Sequence, residues 1–495
     1  MMRELINYRF PFRPRVRLTS FCNKKCNYCF AVDYLSVSKQ NREIDIKSME
    51  TILSMCRNEG IDFIAWQGGE PTLHSQLNEI IQLHKKFGIK AMIFSNGAVD
   101  IQTIRNVKDI IQSILINCNA PHTYEKDELR QLFSNILLMK ELYGEDKVAI
   151  GINVYSNAMD PSFIMEYAKQ LGIQEVRVDI TRPAPSKDNV FIDFREVGET
   201  FRKALELVKS LYENGVKKVH FDCPFPLCLL TEEDRKYLWS FMYDDLKSGQ
   251  CRTYLDITTN ANIASCFCSL PFQDIPIESF KSLTHAWLFI KSLEDKIRWN
   301  KYTKDSCVTC ELSRSRICQG GCLGYKITEN QFVDQNFMNE RRDLLQRLEV
   351  IADVYINFHT GNYEVSYNHC KAALNIEEQD ARLVEKLYLY NSICLKKDID
   401  FLALIGNYLK EVYHPSTEAW GFVILLKNNH YELAIEIAKI GITLEINQPH
   451  NKYKLYEFLY LAYNDIGDIK SSKRALLDCY KMAPIAIKQN MLSKV

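Results

Sequence analysis

The sequence predicts an α/β protein: a partial (β/α)6 TIM-type barrel, then a small cysteine-rich domain, then an all-α domain of helical repeats. Three observations carry this. Over residues 12 to about 200, short strand-like runs alternate with amphipathic helical runs, and glycines mark the turns. Residues 251–326 hold seven cysteines and little periodicity. From about residue 345 the pattern is helical, and a helix–turn–helix unit recurs.

The elements follow in order. Arg15–Ser20 reads as the first strand. In Ile46–Asn58, Ile46, Met49, Leu53 and Cys56 recur at helical spacing and Gly60 follows as a stop. Asp62–Trp66 reads as a strand ending at Gln67-Gly68-Gly69. Leu77–Phe87 is an amphipathic helix closed by Gly88, and Ala91–Phe94 a strand ending at Ser95-Asn96-Gly97. Ser113–Asn117 and Val148–Val154 are further strands, Pro161–Leu171 a helix and Glu175–Ile180 the sixth strand. In a parallel barrel the ligand groups sit at the C-terminal ends of strands, where Gly68–Pro71 and Ser95–Gly97 fall. Residues 1–205 are thus expected to form the barrel and 206–250 a helical connection. Residues 251–340 are expected to be a metal-held module with too little apolar content to fold well without its metal.

Residues 341–495 complete the chain. Aligning Tyr363, Ile399, Tyr431 and Ile469, each at a polar turn, gives spacings of 36, 32 and 38 residues. That resembles tetratricopeptide-type repeats, whose period is about 34. A plain helical bundle is the alternative.

The 495 residues suit about three domains. At 46% hydrophobic residues the chain can bury a normal core, which excludes global disorder. Lys+Arg and Asp+Glu are 62 each, a balance that argues against a protein dedicated to nucleic acid or an anionic membrane. No stretch is apolar enough to span a membrane, and the first residues do not look like a secretory signal. A reducing cytoplasm is the expected compartment. There, clustering among the 17 cysteines means metal binding or catalysis rather than disulfides.

Cys22, Cys26 and Cys29 have the spacing C-x3-C-x2-C in the loop after the first strand. Three thiolates this close can ligate three irons of a 4Fe–4S cluster and leave the fourth open to a small molecule. A zinc site would want four ligands. With Tyr28 before its last cysteine, the run Cys22–Cys29 resembles the signature of the radical S-adenosylmethionine (SAM) enzymes. Gly68-Gly69-Glu70-Pro71 is similar to that family's GGEP motif, and Ser95-Asn96-Gly97 to its Asn-Gly turn after the third strand. The resemblance covers residues 15 to about 200, in order and at the expected strand ends.

The resemblance implies a 4Fe–4S cluster on Cys22, Cys26 and Cys29 that chelates SAM and cleaves it reductively. The resulting radical would abstract a hydrogen atom from an unactivated C–H bond. Gly68 and Gly69 would let the backbone approach SAM, with Glu70 and Pro71 ordering the turn. Ser95 and Asn96 become candidates for the SAM ribose or carboxylate. Asn117, Asn153 and Arg177 are candidate contacts at the ends of the fourth, fifth and sixth strands. A flavodoxin- or ferredoxin-type protein would supply the electron.

Downstream, Cys307, Cys310, Cys318 and Cys322 form C-x2-C-x7-C-x3-C, closing on Gly320-Gly321-Cys322. This resembles a SPASM domain, the auxiliary-cluster module of peptide-modifying maturases, with a middle gap of seven residues where five are usual. The resemblance implies one or two auxiliary 4Fe–4S clusters. One would use Cys251, Cys266 or Cys268, and Cys322, with Cys228 as a further candidate. The other would use Cys307, Cys310 and Cys318 with an unidentified fourth ligand. A shorter twitch-type domain with one cluster, or a zinc site on the last four cysteines, are the alternatives. Cys223, in the Pro-rich run Phe221–Cys228, is a candidate hydrogen-atom donor, although a structural turn cysteine is the plainer reading. Cys56, Cys118, Cys394 and Cys479 are expected to be buried small hydrophobes.

SPASM-type enzymes act on peptides or proteins. The leading expectation is therefore modification of a ribosomally made peptide by crosslinking, oxidation or epimerisation. Only 21 residues precede Cys22, so a leader-gripping winged-helix module is not expected there. The helical repeats become the candidate holder of the peptide, or a homodimer surface. The alternatives are a radical SAM dehydrogenase or maturase acting on a folded protein side chain or a small-molecule alcohol, and a non-catalytic iron–sulfur scaffold.

Overall fold

The computed structural model describes residues 12–37, 42–193, 196–224, 226–235, 251, 253–267, 275–296, 305–314, 318–325, 341–373, 378–446, 452–483 and 488. Its centre is a parallel sheet. Strands β1 (Pro14–Thr19), β2 (Phe63–Gly68), β3 (Lys90–Ser95), β4 (Ile111–Asn117), β5 (Val148–Val154), β6 (Glu175–Ile180) and β7 (Lys218–His220) lie side by side in chain order. Every neighbouring pair among them is parallel.

The strands are rich in Ile and Val and buried on both faces, as parallel strands covered by helices must be. Crossover helices include α1 (Val32–Val37), α2 (Ile46–Glu59), α3 (Leu77–Phe87), α4 (Ile101–Asn106), α5 (Lys126–Tyr143), α6 (Phe163–Leu171) and α7 (Val197–Glu213). Gly60, Gly88 and Gly172 end three of them in the left-handed conformation.

The sheet is an open, partial barrel with two parallel strands more than the six predicted, β7 and β8 (Leu255–Ile257). Strand β7 falls in the segment expected to be a helical connection. It is three residues long, with Val219 buried between lysine and histidine, too short to show alternation. At the other edge, β8 runs parallel to β1, and β9 (Asn262–Ala264) and β10 (Ile275–Pro276) add to it antiparallel. The cysteine-rich segment therefore continues the barrel's sheet. Asp256 fixes the joint. Its carboxylate accepts from Arg15 Nε at 2.5 Å, Arg17 Nη2 at 3.0 Å and Gln67 Nε2 at 2.8 Å, all buried or nearly so.

This segment is also better packed than its composition predicts. Helix α8 (Leu283–Lys296) buries Leu283, Ala286, Phe289 and Ile290 in the same core as the barrel. Trp287 stacks on Phe12 with centroids 5.0 Å apart and donates to the Thr253 carbonyl. The carboxylate of Glu59, the last residue of α2, caps α8 by accepting from the Leu283 and Thr284 amides. Two short helices follow, α9 (Asp305–Val308) and α10 (Glu311–Arg314).

The rest is helical: α11 (Arg341–His359), α12 (Tyr363–Ala373), α13 (Glu378–Cys394), α14 (Phe401–Glu411), α15 (Pro415–Leu426), α16 (Tyr431–Leu444), α17 (Tyr453–Asp465) and α18 (Ile469–Met482). Tyr363, Tyr431 and Ile469 each open the second helix of a pair, whereas Ile399 lies two residues before α14. Apolar residues of α11 to α13 up to Leu387 join the barrel's core, and those from Leu389 to Ala475 form a second core. No helix among the described residues is long and apolar enough to cross a membrane.

Candidate active site

Three loops meet at the C-terminal ends of β1, β2 and β3. The first carries Cys22, Cys26 and Cys29, and Cys26 and Cys29 are linked by a backbone turn. The second is Gly68–Pro71. Its Gly69 and Glu70 amides donate to the Thr19 and Phe21 carbonyls at 2.8 and 2.7 Å, tying the glycine turn to the cysteine loop. The glycines are required by that approach. A Cβ on Gly68 would lie 2.2 Å from the Thr19 carbonyl oxygen, and one on Gly69 would lie 2.0 Å from that of Phe21. Their necessity thus comes first from a backbone of this chain.

Glu70 joins the third loop. Its buried carboxylate accepts from the Thr72 hydroxyl at 2.7 Å, the Ser95 hydroxyl at 3.1 Å and the Asn96 amide at 2.8 Å. Burial pushes its pKa up, and these donors oppose the shift. Ser95, a candidate for SAM from the sequence, is placed inside this junction, where its hydroxyl also accepts from the Gly97 amide. Asn96 faces the cysteines: its side-chain amide donates to Asn23 Oδ1 at 2.7 Å and points at Cys22 Sγ at 3.8 Å. Asn135 of α5, which sequence reasoning missed, pins the loop by donating to the Gly97 and Val99 carbonyls. A buried Asn in an otherwise apolar helical face was the available signal.

The structure joins the remaining candidates into one polar network. Tyr28 stacks on Tyr155, and its hydroxyl is hydrogen-bonded to Asn119 and accepts from Asn117 Nδ2. Asn117 Oδ1 accepts from Asn153 Nδ2 at 2.8 Å and from Arg177 Nη2 at 3.1 Å. Arg177 donates also to Asn153 Oδ1 and to Asp222. The sequence had placed these residues on separate strands. It gave no sign of Asn119, Tyr155 or Asp222, nor of Asn189, which holds the Tyr28 carbonyl from the loop after β6.

The thiols of the first loop are within one another's field. Burial first, and then Cys26 and Cys22, push Cys29 up to about 11. Among the described residues no three His, Cys, Asp or Glu side chains converge on the point a single metal ion would occupy. A donor set of three soft thiols on one loop, with an amide aimed at one sulfur and a glycine turn packed against the Cys22 Cβ, fits a 4Fe–4S cluster with one open iron.

Downstream, Cys322 and then burial push the Cys223 thiol well up, with Arg182 opposing. Burial, and then Cys318, Cys307 and Cys310, push the Cys228 thiol up. The Cys251 amide donates to Gln319, and Cys266 lies in the field of Arg15. Cys268 lies outside the described residues. Cys56, Cys118 and Cys479 are buried as expected, while Cys394 is partly exposed.

Residues 16–137 match the family model described as the Radical SAM superfamily. This part of the chain is a radical SAM domain. A Methanocaldococcus jannaschii protein named as an activating enzyme of a glycyl-radical enzyme is 38% identical to the chain over 80 residues, 16% of this chain. That match spans 30% of the relative, under a third of its length. A GTP 3′,8-cyclase of Synechocystis sp. is 26% identical over 287 residues, 54% of this chain and 82% of that protein. Among solved structures, Streptococcus suis SuiB bound to its precursor peptide SuiA has a similar fold, at 15% identity and a TM-score of 0.50. The likeness covers 66% of this chain and 76% of SuiB. It covers more of the chain than residues 16–137 alone.

Proposed function

We propose that the chain is a radical SAM enzyme that abstracts a hydrogen atom from a peptide and so modifies a ribosomally made precursor. The observation that carries this is the Glu70 junction, which locks the glycine turn and the Ser95–Gly97 turn against the three-cysteine loop. Cys22, Cys26 and Cys29 would hold the cluster. A bound 4Fe–4S cluster with SAM supplies one-electron cleavage of a sulfonium bond and, through it, hydrogen abstraction.

The chain's own residues bind, orient and exclude water. Asn96 is placed to orient a ligand beside Cys22, and the Tyr28–Asn117–Asn153–Arg177 network lines the adjacent strand ends with fixed donors. Because these side chains already hold one another, they need little reorganisation when SAM binds. The later cysteines support one or two auxiliary clusters, and a flavodoxin- or ferredoxin-type donor would reduce the first. The shared fold with SuiB, which is bound to the precursor peptide SuiA, supports the peptide reading, with the C-terminal helices as the candidate holder.

The match to a GTP 3′,8-cyclase over most of that protein favours a second reading, a small-molecule substrate. One experiment separates them. The reconstituted chain is incubated anaerobically with SAM and dithionite, plus either a deuterated peptide encoded beside its gene or deuterated GTP. Deuterium in 5′-deoxyadenosine from the peptide alone is expected. Deuterium from GTP alone overturns the peptide reading. Absence of 5′-deoxyadenosine in every arm overturns the enzyme reading.

A further inference from the structure

Cys307, Cys310 and Cys318 offer three thiolates, and a 4Fe–4S cluster with no open iron takes four. After Cys322 the next cysteine is Cys370, which is buried between α12 and α13 with Asn391 against its sulfur. It is thereby removed as a ligand. A candidate for the fourth thiolate lies upstream. The short turn Leu227–Leu229 packs directly on the glycine pair of the cysteine run. A Cβ on Gly321, whose φ is +87°, would lie 2.9 Å from the Pro226 ring.

Leu227 is fully buried there. Arg235 clamps the turn from behind by donating to the Leu227 and Leu230 carbonyls at 3.1 and 2.6 Å. On the other side, the Cys318 amide donates to the Leu312 carbonyl at 2.9 Å, and the Cys310 amide to that of Cys307 at 3.3 Å. The four sulfurs thus belong to two backbone turns packed on each other. Cys228 is exposed on its turn, while Cys223, five residues earlier, is only partly so.

We propose that Cys228 is the fourth protein ligand of an iron–sulfur cluster held by Cys307, Cys310 and Cys318. The proposal rests on the auxiliary-cluster reading above and names the ligand that reading lacks. It moves Cys228 away from the set of Cys251, Cys266 and Cys322, and makes the segment after β7 a strap from the barrel to the cluster.

The test uses the full chain with Cys22, Cys26 and Cys29 replaced by alanine, so that only auxiliary iron is counted. Removing a true ligand leaves one iron without a thiolate. Cys228→Ala is therefore expected to lose about four irons, or to give about one three-iron spin per chain by electron paramagnetic resonance after mild ferricyanide oxidation. Cys251→Ala should not change the Cys307 cluster. Iron, sulfide and spin unchanged by Cys228→Ala, while Cys307→Ala loses them, overturn this assignment and leave the auxiliary cluster standing. One zinc per chain in place of iron, or no auxiliary iron at all, overturns both.

A second measurement needs no variant and so does not depend on a mutant folding. Alkylation of Cys228 by iodoacetamide, followed by peptide mass, is expected to slow at least about tenfold when the unmodified chain is loaded with iron and sulfide. Cys394, partly exposed and remote from the cluster, is the internal control. An equal rate at Cys228 with and without iron overturns the proposal.

Discussion

Trp66 of β2 donates its indole N–H to His84 Nε2 at 3.0 Å, and the other ring nitrogen of His84 lies 2.9 Å from the Ile89 carbonyl. Burial pushes the His84 pKa down to about 4, from an ordinary value near 6.5. Between those values the unfolded chain binds a proton that the fold refuses. Stability is therefore full above pH 6.5 and falls on acidification toward pH 4. Urea denaturation should show a loss of roughly 2 kcal/mol between pH 7.5 and 5 from this residue, and a flatter profile in His84→Gln.

Gly97 is a second residue whose role is geometric. Its φ is +77°, and a Cβ there would lie 2.3 Å from Leu132 Cδ1. Gly97→Ala should displace Asn96 from the cysteines and weaken SAM binding roughly tenfold, about 1.4 kcal/mol, measured by SAM titration. The motif residues were legible in the sequence, whereas their partners were not. A lone Asn such as Asn119 carries no local pattern, and its function is set by a hydroxyl arriving from another loop.

Among the elements, the long apolar strands and their capped helices were the easiest to read. Leu77–Phe87, Val148–Val154 and Glu175–Ile180 match their predicted ends: Gly88 stops the helix, and apolar residues recur along both strands. The two- and three-residue strands β7 to β10 were invisible, since period-two alternation needs more residues than they have. Helix α8 was missed although it is apolar, because cysteine spacing dominated that region.

The joint between β1 and β8 carries an element-scale prediction. Asp256→Ala would leave Arg17, which is fully buried, without its carboxylate. The cost should be about 3–5 kcal/mol, seen as a lowered denaturation midpoint. It should also give faster amide exchange in Leu255–Ile257, whose pairing to β1 this carboxylate holds.

For the whole molecule, the apolar core crosses the expected boundary at residue 341. Tyr355 of α11 meets Trp287 of α8 edge-on, and the barrel's core continues to Leu387. The barrel, the later cysteines and the first helices should therefore unfold together. Iron content measures the assembly directly. The reconstituted chain should hold about twelve irons with two auxiliary clusters, or about eight with one. Replacing Cys22, Cys26 and Cys29 together by alanine should remove about four irons and abolish 5′-deoxyadenosine formation from SAM.

The sequence by itself determined the parallel α/β class, the helical pairs and the cysteine, GGEP and Ser-Asn-Gly motifs. These are written in local periodicity, turn residues and short spacings, all of which act within a few residues of one another. Only the tertiary structure decided which groups face each other: Glu70 with Asn96, and Asn117 with Arg177. Such pairings depend on which backbone turns pack together across gaps of tens of residues. Close packing fixes that arrangement, and no local pattern encodes it.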